Sequence, residues 1–278
     1  MRIILSFSLL LLMSFTNRGE YPESAFEHTS QSSSINIEWW NKLEPAWQKL
    51  FAKEVGINGV PNQQHFAAIA SLTVLDCSQT LITTLEPVRE LKGLKSLWCD
   101  QTKVSDLGPI SGLDNLKNLN FGSTKVVDLT PLKNLKSLSK LEFYRTKVTS
   151  LEPLTGVLSL EVIDCSNSSV VSLDPLKSLT NLKVLYCNNT PIKNLNALSG
   201  IQGISELSFL RTSVNSLEPL KGKANLTELV FQHTEVSSLE PVKGLSNLTV
   251  VYCEDTKVTQ EEVQKFVAAT PNCEVFGM

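Results

Sequence analysis

Histidine is almost missing from this chain, with three residues in 278, and His28, His65 and His233 stand far apart. No His/Cys cluster therefore has the spacing of metal ligands, and neither a metal nor any other cofactor is expected. No glycine-rich loop is present to cradle a phosphate. Carboxylates are dispersed singly and do not face one another in pairs, so an enzyme is not expected. An excess of positive charge is missing too: 25 Lys and Arg against 28 Asp and Glu leave a net charge of −3. That balance gives no basic field for nucleic acid and no basic amphipathic stretch for lipid. Long apolar runs are confined to residues 1–15, where Arg2 precedes Ile3, Ile4 and Leu5 and a second run follows from Leu9 to Met13. This segment is too short to span a bilayer comfortably and has the layout of a secretory signal over residues 1–16, although no Ala-x-Ala marks a cleavage site. Export to a secreted, periplasmic or cell-surface location follows. Polar, serine-bearing residues 17–35 read as a disordered spacer.

What the chain has in abundance is repetition. Nine copies of a 22-residue pattern occupy residues 72–258 without insertion, starting at Leu72, Leu94, Leu116, Leu138, Leu160, Leu182, Ile204, Leu226 and Leu248. Each copy reads Leu-x-x-Leu-x-[Cys/Phe]-x-x-Thr-x-[Ile/Val]-x-x-Leu-x-Pro-Leu-x-x-Leu-x-x. A fixed period of this length, with leucines spaced three and then two apart, is the signature of a leucine-rich-repeat solenoid. The fold expected is an α/β solenoid with a curved parallel sheet on its concave face and short 3₁₀ or irregular turns on its convex face. The first, fourth and sixth positions alternate as on a strand with one buried face. The ninth is Thr in eight copies and Ser168 in the other, an inward hydroxyl able to bond the backbone of the turn. The thirteenth (Thr84, Asp106, Asp128, Ser150, Ser172, Asn194, Ser216, Ser238) carries side chains that accept from free amides at the start of a helical turn. Proline follows three residues later in seven of those eight, and so short a repeat favours a 3₁₀ return.

Stacked coils need capped ends. Trp39, Trp40, Leu43, Trp47, Leu50 and Phe51 form an apolar helical stripe interrupted at Pro45 and ended at Gly56, and a second segment carries Phe66 and Ile69. Residues 36–71 thus read as a helical N-terminal cap. Residues 259–278 read as a C-terminal cap, with a Thr259-x-x-Glu262 capping box opening a helix and Cys273 and Val275 set, by counting 22, at the inner positions of a final strand. Five cysteines (Cys77, Cys99, Cys165, Cys187, Cys253) share the sixth position with Phe121, Phe143, Phe209 and Phe231. Interchange with Phe marks an apolar slot. Adjacent pairs such as Cys77 and Cys99 lie within the Cα range of a disulfide, but free thiols acting as small hydrophobes are the favoured reading. Lys223 replaces an outer leucine and is expected to snorkel to water.

Binding is expected on the outward strand positions, the second, third, fifth, seventh and eighth of each coil, which tile the concave face. Lysines and arginines there (Lys95, Lys117, Lys140, Arg145, Lys183, Arg211) are mixed with Asp and Glu, a balance suited to a protein partner more than to a polyanion. Trp98, Tyr144, Tyr186 and Tyr252 point outward although packing does not call for them. With Leu210 and Val230, flanked by Arg211 and His233, they compose an interface core. The candidate site is Trp98, Tyr144, Arg145, Tyr186, Leu210, Arg211, Val230, His233 and Tyr252. A glycan stacked on the aromatics, or an intracellular adaptor role with the apolar N-terminus retained, are the alternative functions.

The text Leu-x-x-Leu … Val-x-Asp/Ser-Leu-x-Pro-Leu, as in residues 94–113 and 138–154, resembles the 22-residue repeats of internalin-type bacterial surface proteins, and so does the ending Ala269-Thr270-Pro271-Asn272-Cys273-Glu274-Val275. The resemblance implies a non-enzymatic scaffold that binds a protein on its concave face. It departs from the internalin pattern in placing Thr where Asn is usual, and Cys or Phe in place of a leucine.

Overall fold

The computed structural model describes residues 34–277; the expected signal and nearly all of the spacer lie outside the described residues. Three short helices lead into a single sheet: α1 (Ile37–Asn41), α2 (Pro45–Val55) and α3 (Gln63–Ala70). The sheet has ten parallel strands in chain order. They are β1 (Val74–Asp76), β2 (Ser96–Trp98), β3 (Asn118–Asn120), β4 (Lys140–Glu142), β5 (Val162–Asp164), β6 (Val184–Tyr186), β7 (Glu206–Ser208), β8 (Glu228–Val230), β9 (Val250–Tyr252) and β10 (Glu274–Phe276). From β1 to β9 the register pairs each residue with the one 22 later, as in Leu75 with Leu97 and Leu229 with Val251. The repeat period and the strand register are therefore one quantity, and the solenoid follows.

In β1 to β9 the middle of the three residues faces inward and is wholly buried, as Leu141 and Ile163 are, while Val275 of β10 is half-buried. The chain then turns inward through a residue in the left-handed region. All nine eighth-position residues, from Gln79 to Asp255, have φ between 52° and 58°, and none is glycine. That conformation costs about 1–2 kcal/mol per L-residue. It also extends the inter-coil ladder beyond the strand, since the Arg145 amide donates to the Ser166 carbonyl at 2.8 Å and the Arg211 amide to Gln232 at 2.9 Å. The ninth-position hydroxyl closes the same turn by donating to the carbonyl three residues back, 2.7 Å in Thr102 to Cys99 and 2.8 Å in Thr146 to Phe143. Ser168 is the exception: its amide donates to Cys165 at 3.2 Å and its hydroxyl accepts from the Val170 amide at 3.4 Å.

The return path is a 3₁₀ turn in eight coils, running from Glu86–Glu90 to Glu240–Val242. Every thirteenth-position side chain accepts from the amide two residues on, as Asp106 does from Gly108 at 2.7 Å and Ser216 from Glu218 at 3.2 Å. The sixth column fills the core in pairs. Phe121 stacks on Phe143 and Phe209 on Phe231, each with centroids 5.8 Å apart, and cysteines fill the coils between. All six cysteines are free and buried.

Both caps bury aromatic side chains over the ends. Trp47 is fully buried, stacks on Phe51 at 5.3 Å, and donates its indole N–H to the Thr84 carbonyl at 3.0 Å. Gly56 closes α2 at φ 73°, where a side chain would be strained. Asn62 and His65 form a reciprocal capping box on α3, each side chain accepting from the other's amide at 3.1 Å. At the far end α4 (Gln260–Ala269) begins at Thr259, which accepts from the Glu262 amide. The return half of the expected box does not form: Glu262 instead accepts from the Ser238 hydroxyl and the Leu239 amide of the preceding coil. The last strand also departs from the 22-residue count. Val275 pairs with Val251, a separation of 24 rather than 22, because a helix of ten residues uses more chain than a 3₁₀ turn. Cys273 therefore precedes β10, and Val275 takes the inner place assigned to Cys273.

Lys223 does not snorkel to water. It is fully buried, and its Nζ donates to the carbonyls of Ile201 at 2.9 Å and Ser199 at 3.3 Å. The side chain runs along the coil stack, where backbone carbonyls of the preceding coil are closer than solvent, and burial lowers the pKa of its ammonium.

Candidate protein-binding face

The strands present their first and third residues outward, and the seventh repeat position continues that surface where the strand ends. Tyr186, Val230 and Tyr252 stand at the same strand position on β6, β8 and β9, with Ser208 between them on β7. Leu210 lies two residues beyond Ser208. All four are half-buried, and Arg211 and His233 are exposed beside them. The structure thus brings Tyr186, Leu210, Val230 and Tyr252 onto four neighbouring coils. It leaves Trp98 on β2 and Tyr144 and Arg145 after β4, away from that patch.

The expectation that packing makes no use of the outward tyrosines is overturned. The Tyr144 ring covers Gly122 so closely that a Cβ there would lie 2.5 Å from ring carbons, and the hydroxyl donates to Asp100 at 3.3 Å. One tyrosine therefore ties three coils together, with glycine supplying the room. Burial, followed by the Asp100 charge, raises its phenol. The Tyr186 hydroxyl donates to Glu206 at 2.5 Å, and burial with that carboxylate pushes its phenol well above the usual range. Tyr252 stacks on Phe276 at 5.0 Å. Each ring has a neighbour that fixes its rotamer, and each keeps an exposed part. Rings held in this way lose little entropy on meeting a partner.

Of the basic members of the candidate site, His233 lies 3.0 Å from Asp255, and His233, Arg145 and Arg211 all occupy left-handed turn positions. Sequence reasoning placed Glu206 and Glu228 on the outward face but left them out of the candidate site and did not pair them; they are register partners on β7 and β8. Their 22-residue separation and shared outward column were legible. Around the cysteines, burial raises every thiol, to about 11 for Cys253 and Cys273, so none is a poised nucleophile. Among the described residues no group of three or more His, Cys, Asp or Glu side chains could hold a metal, and no helix is long and apolar enough to cross a membrane.

Residues 158–200 match the family model of leucine-rich repeats in two copies. Of solved structures, internalin C2 of Listeria monocytogenes is 25% identical, with a TM-score of 0.70 over 75% of this chain and 92% of that one. A leucine-rich-repeat protein of Leptospira interrogans is 20% identical, with a TM-score of 0.71 over 77% of this chain and 57% of that one. The plant peptide hormone receptor RGFR1, solved in complex with RGF2, is 15% identical, with a TM-score of 0.60 over 70% of this chain and 34% of that one. No curated protein matches the chain.

Proposed function

We propose that this internalin-like leucine-rich-repeat protein is a non-enzymatic, extracytoplasmic binding scaffold that holds a protein partner on the outward, concave face of its sheet. The observation that carries the reading is the patch of Tyr186, Leu210, Val230 and Tyr252. Four large side chains lie half-exposed on adjacent coils, two of them rings braced by Glu206 and Phe276. Contiguous apolar surface rimmed by polar groups is what protein interfaces use. The repeat scaffold is one that binds such partners in other proteins, RGFR1 with RGF2 among them. Trp98, Tyr144, Arg145, Arg211 and His233 extend the surface along the same face. The extracytoplasmic location rests on the layout of residues 1–16.

The test is capture by the immobilised full chain, with wild type compared against Tyr186→Ala/Val230→Ser/Tyr252→Ala and bound proteins identified by mass spectrometry. A protein retained by wild type and lost by an equally stable variant supports the reading. Equal retention moves the site off this face. Retention that survives proteolysis of the applied material replaces the protein partner by a glycan.

A further inference from the structure

Charge is sorted by column across the sheet face. The three central outward columns, the third, fifth and seventh repeat positions continued onto β10, hold eight carboxylates and a single cation, Lys140. That lysine is already paired with Glu142 at 3.1 Å. The other cations of the face stand in the two flanking columns, at the second and eighth positions. Among the described residues no cation pairs with a carboxylate of the apolar patch: Glu206 receives only the Tyr186 hydroxyl, and the Glu254 side chain only the Gln232 amide at 3.2 Å. Glu228 is half-buried with Glu206 beside it in register and has no ion pair among the described residues. Two parallel strands place such neighbours about 4.8 Å apart, close enough for both carboxylates to embrace one ammonium or guanidinium.

We propose that the partner held on this face is a protein segment carrying lysine or arginine between aliphatic residues, its cation seated between Glu206 and Glu228 and its apolar side chains on Val230, Tyr252 and Leu210. The inference rests on the protein-binding reading above and specifies its chemistry. Like charges placed side by side on a sheet are unfavourable in the free protein, and an incoming cation removes that repulsion as it binds. Burial, and then the neighbouring Glu206, raise the Glu228 carboxyl, as befits a carboxylate short of a cation. The aliphatic part follows from Val184 and Val250, which border the pair on β6 and β9, and from Val230, two residues beyond Glu228 on β8. A polyanion is repelled by the same columns.

The test uses the full chain and three fluorescent eight-residue peptides in which valine alternates with lysine, glutamate or serine. Anisotropy titrations at low salt are expected to show the lysine peptide binding at least about tenfold tighter than the other two, with affinity falling as salt screens the charges. Glu206→Gln/Glu228→Gln, which keeps shape and the Tyr186 acceptor, is expected to weaken the lysine peptide about tenfold and leave the melting temperature within a few degrees. Equal binding of lysine and glutamate peptides, no lysine-peptide binding up to about 1 mM, or indifference to the double Gln variant overturns the proposal. A captured protein lost by the Tyr186/Val230/Tyr252 variant but retained by the Gln variant refutes the basic segment while leaving the binding face intact.

Discussion

Replacing Lys223 by leucine is expected to stabilise the protein. The position belongs to a column filled elsewhere by Leu91, Leu113, Leu135 and Leu179, all fully buried, so a leucine there meets a ready-made slot worth about 1.5–3 kcal/mol on burial. The wild-type ammonium gives up its water for two carbonyls and no counter-charge, and the effective penalty for burying an ion is several kcal/mol. Of the two carbonyls released, that of Ser199 is exposed to water, whereas that of Ile201 loses its donor, because it receives Lys223 in place of the amide bond that Leu179 accepts from Leu182 at 3.0 Å. A net gain of about 1–3 kcal/mol at pH 7 follows, since an unmet carbonyl costs about 1–3. The pH dependence has a definite sign. Burial lowers the Lys223 pKa below 10.5. Below that lowered value both states are protonated and the native state carries the whole penalty. Between it and 10.5 the native state sheds a proton that the unfolded chain keeps, so wild-type stability rises with pH. Raised cysteine pKa values act the other way above about pH 9, where unfolded thiols ionise and buried ones do not, but they act on both proteins and cancel in the difference. Urea titrations of wild type and Lys223→Leu from pH 7 to 10.5 measure that difference. A variant less stable at pH 7, or a gap that does not narrow with rising pH, refutes the reasoning.

Leu141→Ala removes a fully buried side chain whose register partners Leu119 and Ile163 are held by the ladder on both sides; the expected loss is about 2–5 kcal/mol. Lys147→Ala, exposed on a turn, is expected to change stability by no more than about 0.5 kcal/mol, and equal urea midpoints for the two would place the coil out of phase. All six thiols are expected to resist Ellman's reagent at pH 8 in the native protein and to react together once urea unfolds it; rapid reaction of any one in the folded state contradicts its burial. Gly122→Ala is expected to displace the Tyr144 ring at a cost of about 1–2 kcal/mol, most of which disappears in a Tyr144→Ala background. A double-mutant cycle that comes out additive would mean the ring does not lie over the glycine.

Much of the fold was legible because a 22-residue period and a parallel register impose the same constraint: fixing which leucines recur fixes which residues face inward on every strand. The thirteenth-position caps were readable for the same reason, since Ser, Thr, Asp and Asn bond amides two residues away without reference to the rest of the molecule. The left-handed eighth column was not. Its occupants are Gln, Ser, Arg, Asn, His and Asp, and no glycine announces it; the demand arises from the inter-coil bond its amide must make. The shifted register of β10 followed from how much chain α4 consumes, which counting from the repeats could not supply.

The candidate face shows the same division. By itself the sequence determined the columns, and with them the adjacency of Tyr186, Val230 and Tyr252 and the pairing of Glu206 with Glu228, because neighbours in a regular array are set by the period alone. Only the tertiary structure decided where long side chains end. Tyr144 reaches back across Gly122 to Asp100, Tyr186 reaches Glu206, and Lys223 lies along the stack to the carbonyls of another coil, because a side chain of several bonds spans more than one 4.8 Å strand spacing and its terminus is chosen by whichever partner the packed coils place within reach.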